Sequence, residues 1–264
     1  MPSELSQPEL PKQRWPSQLW LVRHGESAGN VAHDAAYAAG DLRVDIAGRD
    51  MDVALSELGV TQSRALASWF GDLPIDQRPE VVLTSTYRRA QQTGRIILEH
   101  GGLAPGAPPL ICDERLRERE FGILDRLTHA GIEALHPKQW EQKRTIGKFY
   151  HRPPGGESWC DVILRLRSVL DTLSLHYATR RVLIVAHEVV VLCFRYLIED
   201  MDEAGIMAID RQGDVVNCGV TEYLYEPDPA HGGRLALQRY NFAAAFEREG
   251  ATVTSAPDAN VAPR

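Results

Sequence analysis

Three short apolar runs, residues 19–22 (Leu-Trp-Leu-Val), 81–83 (Val-Val-Leu) and 182–185 (Val-Leu-Ile-Val), each stop abruptly at polar side chains. The first delivers Arg23-His24, the second Thr84-Ser85-Thr86-Tyr87-Arg88-Arg89, and the third, past Ala186, His187-Glu188. Short apolar runs bounded in this way read as strands buried on both faces, and helical patterns lie between them. Alternation of that kind predicts an α/β fold, a three-layer α/β/α sandwich around a mostly parallel sheet. A late pair, 221–225 and 235–240, fits an antiparallel edge. Ser56 is placed to cap a helix running through Val60, Ala65, Leu66 and Trp69, and Thr84 or Ser85 one through Ala90, Ile96 and Ile97. Ligands of such sheets bind beyond the carboxyl ends of the strands. Parallel neighbours would bring two imidazoles and at least two guanidiniums to one rim.

Composition limits the setting. A chain of 264 residues, 44% hydrophobic and 25% charged, has room for one sizeable α/β domain. The net charge of -7 gives a nucleic-acid partner no support, and it requires any site for an anion to be a local basic focus. Cys112, Cys160, Cys193 and Cys218 form no C-x-x-C pair, so neither a zinc site nor a disulfide framework is expected, and a cytoplasmic location is the simplest setting. The apolar stretch 182–198 contains His187, Glu188 and Arg195, which favours a strand followed by a helix over a membrane span. Residues 1–17, polar with Pro2, Pro8, Pro11 and Pro16, read as a flexible leader without a signal peptide. The domain is expected over 18–246, and 247–264 read as a disordered tail.

An imidazole directly after a guanidinium, on a rigid strand end, sets a nucleophile beside a clamp of phosphate size. The surrounding motifs sharpen this. Leu-Val-Arg-His-Gly-Glu-Ser at 21–27, Thr-Ser-Thr-Tyr-Arg-Arg-Ala-Gln-Gln-Thr at 84–93, Leu-Arg-Glu-Arg-Glu-Phe-Gly at 116–122, Gly-Gly-Glu-Ser at 155–158 and Val-Ala-His at 185–187 occur in this order. Together they resemble the histidine phosphatase superfamily, which contains cofactor-dependent phosphoglycerate mutases, fructose-2,6-bisphosphatases and many broad phosphatases. The resemblance implies a phosphoglycerate mutase-like fold and a phosphohistidine intermediate.

By that resemblance His24 is the nucleophile, Arg23 and Arg89 clamp the phosphoryl oxygens, and His187 completes the pocket. Phosphoryl transfer asks mainly for positioning and charge stabilisation, which planar guanidiniums supply. Arg89 is preferred to Arg88 because it directly precedes the Ala-x-x-Thr pattern. Glu118 matches the acid and base of the family, selected over Glu114 and Glu120 by the Leu-x-Glu-x-x-Phe-Gly register. Asn30 stands where the family often touches phosphate, though it also suits a turn. No metal or other cofactor is needed by this scheme, and the remaining histidines lack the spacing of a ligand pair.

Residues 122–158 should cover the pocket. Their order resembles the fructose-2,6-bisphosphatase branch, which makes Arg144, Lys148 and Tyr150 candidates for holding a second part of the substrate, the alternative being a solvated basic patch. The block after His187 departs from the family. Mutases usually place Gly-Asn there and an arginine five residues on, where this chain has Glu188, Val189 and Leu192. Glu188 adds negative charge near the phosphate site. The expectation is therefore a phosphatase for a small phosphorylated metabolite, with a mutase-type isomerase as the alternative and a catalytically silent scaffold disfavoured by the intact motifs. Neither nucleic acid nor membrane is expected as partner, and a homodimer is allowed for.

Overall fold

Side chains along the central strands alternate between two cores, as the two-residue repeat of an extended chain requires. The computed structural model describes residues 13–103, 110–228, 232–243 and 252–255. Strand β1 (Gln18–Arg23) turns Leu19 and Leu21 to one face and Trp20 and Val22 to the other. Strands β2 (Val81–Thr84) and β4 (Arg181–Ala186) divide in the same manner, Val82, Leu183 and Val185 joining Trp20. Both faces are dry, which is why these runs read as continuous apolar segments.

With β3 (Ile111–Cys112), β5 (Val220–Glu226) and β6 (Arg234–Phe242) the sheet has the order β3-β2-β4-β1-β5-β6. The first four strands of that order are mutually parallel, and β5 and β6 form the antiparallel edge. Sequence anticipated every strand except β3, whose two residues leave too little pattern to read.

Helices α2 (Glu57–Asp72) and α3 (Arg88–His100) cover the Trp20 face, packing Leu66, Phe70, Ala90 and Ile97 against it. The other face carries α6 (Trp159–His176) and α7 (Glu188–Ile198), with Leu166, Leu173, Val190 and Phe194 wholly buried. Each such side chain contributes about 1.5–3 kcal/mol. Helices α1 (Ala28–Ala39), α4 (His129–Leu135), α5 (Pro137–Tyr150) and α8 (Glu203–Gln212) complete the fold. Ser56 caps α2 as expected, its hydroxyl accepting from Gly59 N at 2.9 Å. Neither Thr84 nor Ser85 caps α3; Tyr87 stands at that position and makes no side-chain cap.

Both terminal expectations need correction. Trp15, in the stretch read as leader, packs against the α6/α7 core, and its carbonyl accepts from Thr179 N at 3.0 Å. An aromatic side chain has too much apolar surface to leave in water when a core edge is within reach. Residues 252–255 of the stretch read as a disordered tail also hold a place, with Thr254 O accepting from Asn217 N at 2.8 Å. Within these stretches, residues 1–12, 247–251 and 256–264 lie outside the described residues.

Candidate active site

The carboxyl ends of β1, β2 and β4 deliver their polar residues to one rim. Arg23 ends β1, wholly buried, with Nη1 donating to Val215 O at 2.5 Å. His24 follows, its backbone N bonded to Ala186 O at 3.0 Å and its carbonyl accepting from Asn217 Nδ2 at 3.2 Å. The chain must pass close to α2 here. A Cβ at Gly25 would lie 2.5 Å from Gly59 O, and one at Gly59 would lie 1.9 Å from Glu26 O, so both positions need glycine.

The ring of His24 has one defined tautomer. Arg89 Nε donates to His24 Nε2 at 3.1 Å, and a guanidinium can only donate, so Nε2 is the unprotonated nitrogen. The ring proton then sits on Nδ1, which donates to Gly25 O at 2.7 Å. His187 stacks edge-on against His24 with centroids 5.1 Å apart, and its Nε2 is 2.8 Å from Ser85 Oγ. Ser85, expected as a helix cap, therefore serves the second histidine and also accepts from Tyr87 N at 3.1 Å. Of the predicted residues, Arg89 thus reaches His24 Nε2, the ring of His187 lies against that of His24, and Arg23 directly precedes His24 at the end of β1.

Glu118 is buried in the loop that follows the turn Glu114–Leu116, with Oε1 accepting from Arg119 N at 2.7 Å. Asn30 forms a capping box at the start of α1. Its Oδ1 accepts from Ser27 N at 2.9 Å and from Ser27 Oγ at 2.8 Å, so the carboxamide oxygen is used as the turn alternative required. Glu188 is buried at the start of α7, Oε2 lying 3.8 Å from Arg23 Nη1. It offsets part of the charge that Arg23 brings.

The cover residues depart from expectation. Arg144 is exposed and lies 3.8 Å from Glu141, and Tyr150 is likewise exposed, its phenol pushed up chiefly by Glu203. Lys148 is committed to Asp210, with Nζ 2.7 and 2.8 Å from the two carboxylate oxygens. None of the three lines the cavity beside the site. Gly147, with φ 83°, breaks α5 just before Lys148 and Tyr150.

That cavity, about 260 Å³, is lined by Asp50, Met51, Tyr87, Arg119, Glu120 and Asp125 among others. Tyr87 joins it to the catalytic rim, its ring 5.1 Å from that of His187 and its hydroxyl donating to Glu120 Oε1 at 2.8 Å. Burial and the Glu120 carboxylate push its phenol well above the usual range. The Asp125 carboxyl is pushed up by burial and then by Asp50, with Glu120 adding to it. Burial draws Arg119 down to about 10. His151 falls to about 4, through burial and then Arg119 and Lys143. Sequence reasoning missed Asp50, Ser85, Tyr87 and Arg119 as site residues. Ser85, Tyr87 and Arg119 lie inside the quoted motifs and were within reach, whereas Asp50 sits in a long connection with no local signal. Among the described residues no group of three or more His, Cys, Asp or Glu is arranged to hold a metal ion, and no helix is long and apolar enough to cross a membrane.

Known proteins are similar to this chain in sequence and fold. A Yersinia pestis protein (strain Pestoides F) described as a probable phosphoglycerate mutase, GpmB, is 28% identical over 215 residues, covering 80% of this chain and 86% of that protein. The mycobacterial glucosyl-3-phosphoglycerate phosphatase, solved with VO3, is similar at 27% identity and a TM-score of 0.63, covering 86% of this chain and 99% of that one. The alpha-ribazole phosphatase of Shigella flexneri shares the fold at 21% identity and a TM-score of 0.63, over 85% of this chain and 97% of its own. Residues 19–237 match the histidine phosphatase superfamily, branch 1, and with this match over most of its length the chain belongs to that family.

Proposed function

We propose that this chain is a metal-independent phosphatase that hydrolyses a small phosphomonoester, such as a sugar phosphate or phosphoglycerate, through a phosphohistidine at His24. The observation that carries the reading is the state of that ring. With the proton held at Nδ1 by Gly25 O, the lone pair of Nε2 faces the guanidinium of Arg89. A phosphoryl group entering there meets a nucleophile and cationic donors together, which is what a loose transition state rich in oxygen charge requires.

In the first half-reaction Nε2 bonds to phosphorus as the ester P–O bond breaks, and the carboxyl group of Glu118 gives its proton to the leaving alkoxide. In the second, the Glu118 carboxylate takes a proton from water, the water oxygen bonds to phosphorus, and the P–N bond breaks to release phosphate and neutral His24. Arg23, Arg89 and His187 hold the phosphoryl oxygens throughout. The likeness to a solved phosphatase supports hydrolysis, and so does Glu188 beside Arg23, a buried negative charge that disfavours strongly anionic substrates.

The likeness to GpmB favours a second reading, a cofactor-dependent mutase in which the phosphoryl group returns to substrate rather than to water. A panel of phosphorylated metabolites, scored for phosphate release and positional transfer in parallel, separates the two. Hydrolysis predicts release exceeding transfer, and the H24A protein should release no phosphate from p-nitrophenyl phosphate above background. Turnover by H24A at the wild-type rate would overturn both readings.

A further inference from the structure

The guanidinium of Arg89 is gripped from two directions. Its Nε points at His24 Nε2, while its far end meets Asp50: Nη1 is 3.1 Å from Oδ1 and 2.9 Å from the Asp50 carbonyl oxygen, and Nη2 is 3.2 Å from Oδ2. A guanidinium is planar and carries five N–H donors in fixed directions. Once a carboxylate holds the Nη1/Nη2 end, the plane is set, and the side fork made by Nε and the second hydrogen of Nη2 faces the nucleophile. The Arg89 side chain is 2% exposed and that of Asp50 28%, so the guanidinium half of the pair is shielded from competing water.

Asp50 is itself delivered by a braced segment. It opens the short turn Asp50–Asp52 within the connection from α1 to α2. One end of that connection is tied to the cover, with Val44 N donating to Arg126 O at 2.9 Å and Thr128 N to Leu42 O at 3.1 Å. The other end is tied to α1 and α3, with Ala28 N donating to Ala54 O at 3.0 Å and Leu55 N to Gln92 Oε1 at 2.9 Å. The second acid of the turn, Asp52, turns away to the exposed Arg49, with Oδ2 2.8 Å from Nε. The two carboxylates, two residues apart, therefore have separate tasks.

We propose that Asp50 is a positioning residue of the phosphoryl-transfer site, acting through Arg89 to aim its side fork at the phosphoryl group on His24. Its kinetic part rests on the phosphohistidine reading; its geometric part does not. Without the carboxylate, Arg89 is free to swing its end fork onto the incoming phosphate, which keeps binding but loses alignment in the transition state. The loss should therefore fall on kcat rather than on KM.

The test uses the full chain with ring-labelled histidine. In the D50A protein the His24 Nε2 resonance should shift as the Arg89 hydrogen bond is lost, while in D52A it should stay at the wild-type position. With p-nitrophenyl phosphate, D50A should lower kcat by about 10- to 100-fold with KM changed by less than about threefold, the size of effect a misaligned catalytic group produces. D52A should stay within about twofold of wild type on both constants, and D50N, which keeps one acceptor oxygen, should fall between. An unchanged His24 resonance or unchanged kcat in D50A overturns the proposal. So does an equal loss in D52A, which would trace the effect to the turn and not to the carboxylate. Should D50A fail to fold, D50N decides by the same criteria. If the wild type releases no phosphate from any ester, the phosphatase reading falls, while the resonance still reports on the Asp50–Arg89 geometry.

Discussion

Lys143 of α5 should make this protein less stable at neutral pH than at alkaline pH, and its replacement by methionine should remove the penalty. Its Nζ is buried with no hydrogen-bond partner among the described residues, 5.9 Å from the centroid of the Trp140 ring. Burial, then Lys148 and Arg119, draw its pKa from 10.5 down to about 7, against the pull of Asp210. Between those two values the unfolded chain holds a proton that the folded protein has released, so stability rises with pH across that window. The penalty is complete below about pH 7 and gone above pH 10.5. At about 1.4 kcal/mol for each tenfold change in proton affinity, it amounts to roughly 4 kcal/mol at pH 7. K143M keeps most of the volume and gives up a cation–π contact worth about 0.5–1 kcal/mol. The net expectation is a gain of roughly 3 kcal/mol at pH 7 that fades as pH approaches 10. Urea denaturation of both proteins at pH 6.5, 8 and 9.5 measures it. A K143M protein no more stable than wild type at pH 6.5, or one with the same rise in stability with pH, would refute the argument.

Two further outcomes follow from buried pairs elsewhere. D210A leaves the Lys148 ammonium, 10% exposed, without its carboxylate, and should lower stability by about 3–5 kcal/mol in chemical denaturation, with D210N losing less. A chain ended at residue 251 loses the bonds of Thr254 to Asn217 and to Gln62 Nε2, and Asn217 in turn supports the His24 carbonyl. It should lose about 1–3 kcal/mol and turn over p-nitrophenyl phosphate more slowly; full stability and full rate would show that the tail does not brace the site.

How much was legible follows from where the constraint lies. The positions of Arg23, His24, Arg89 and His187 were legible because each sits at or just past the end of a strand or at the first turn of a helix, so neighbours in sequence report where it lies. Ser85 was visible but misread: its hydroxyl chose His187, 102 residues away in the chain, over the helix it precedes. In the cover, Arg144, Lys148 and Tyr150 rest on the order of residues in the segment, which does not show that the backbone leaves the helix at Gly147. The inward cations are Lys143 and Lys148, not Arg144.

The sequence by itself determined the parallel core, because strands buried on both faces must be apolar throughout, and it determined the family, because an ordered set of local motifs carries it and with it the chemistry proposed above. Only the tertiary structure decided how that chemistry is tuned. Asp50 reaches Arg89 and Glu188 reaches Arg23 through long-range packing, and the carboxylate that faces each guanidinium is set by distance in space, which one-dimensional spacing does not record.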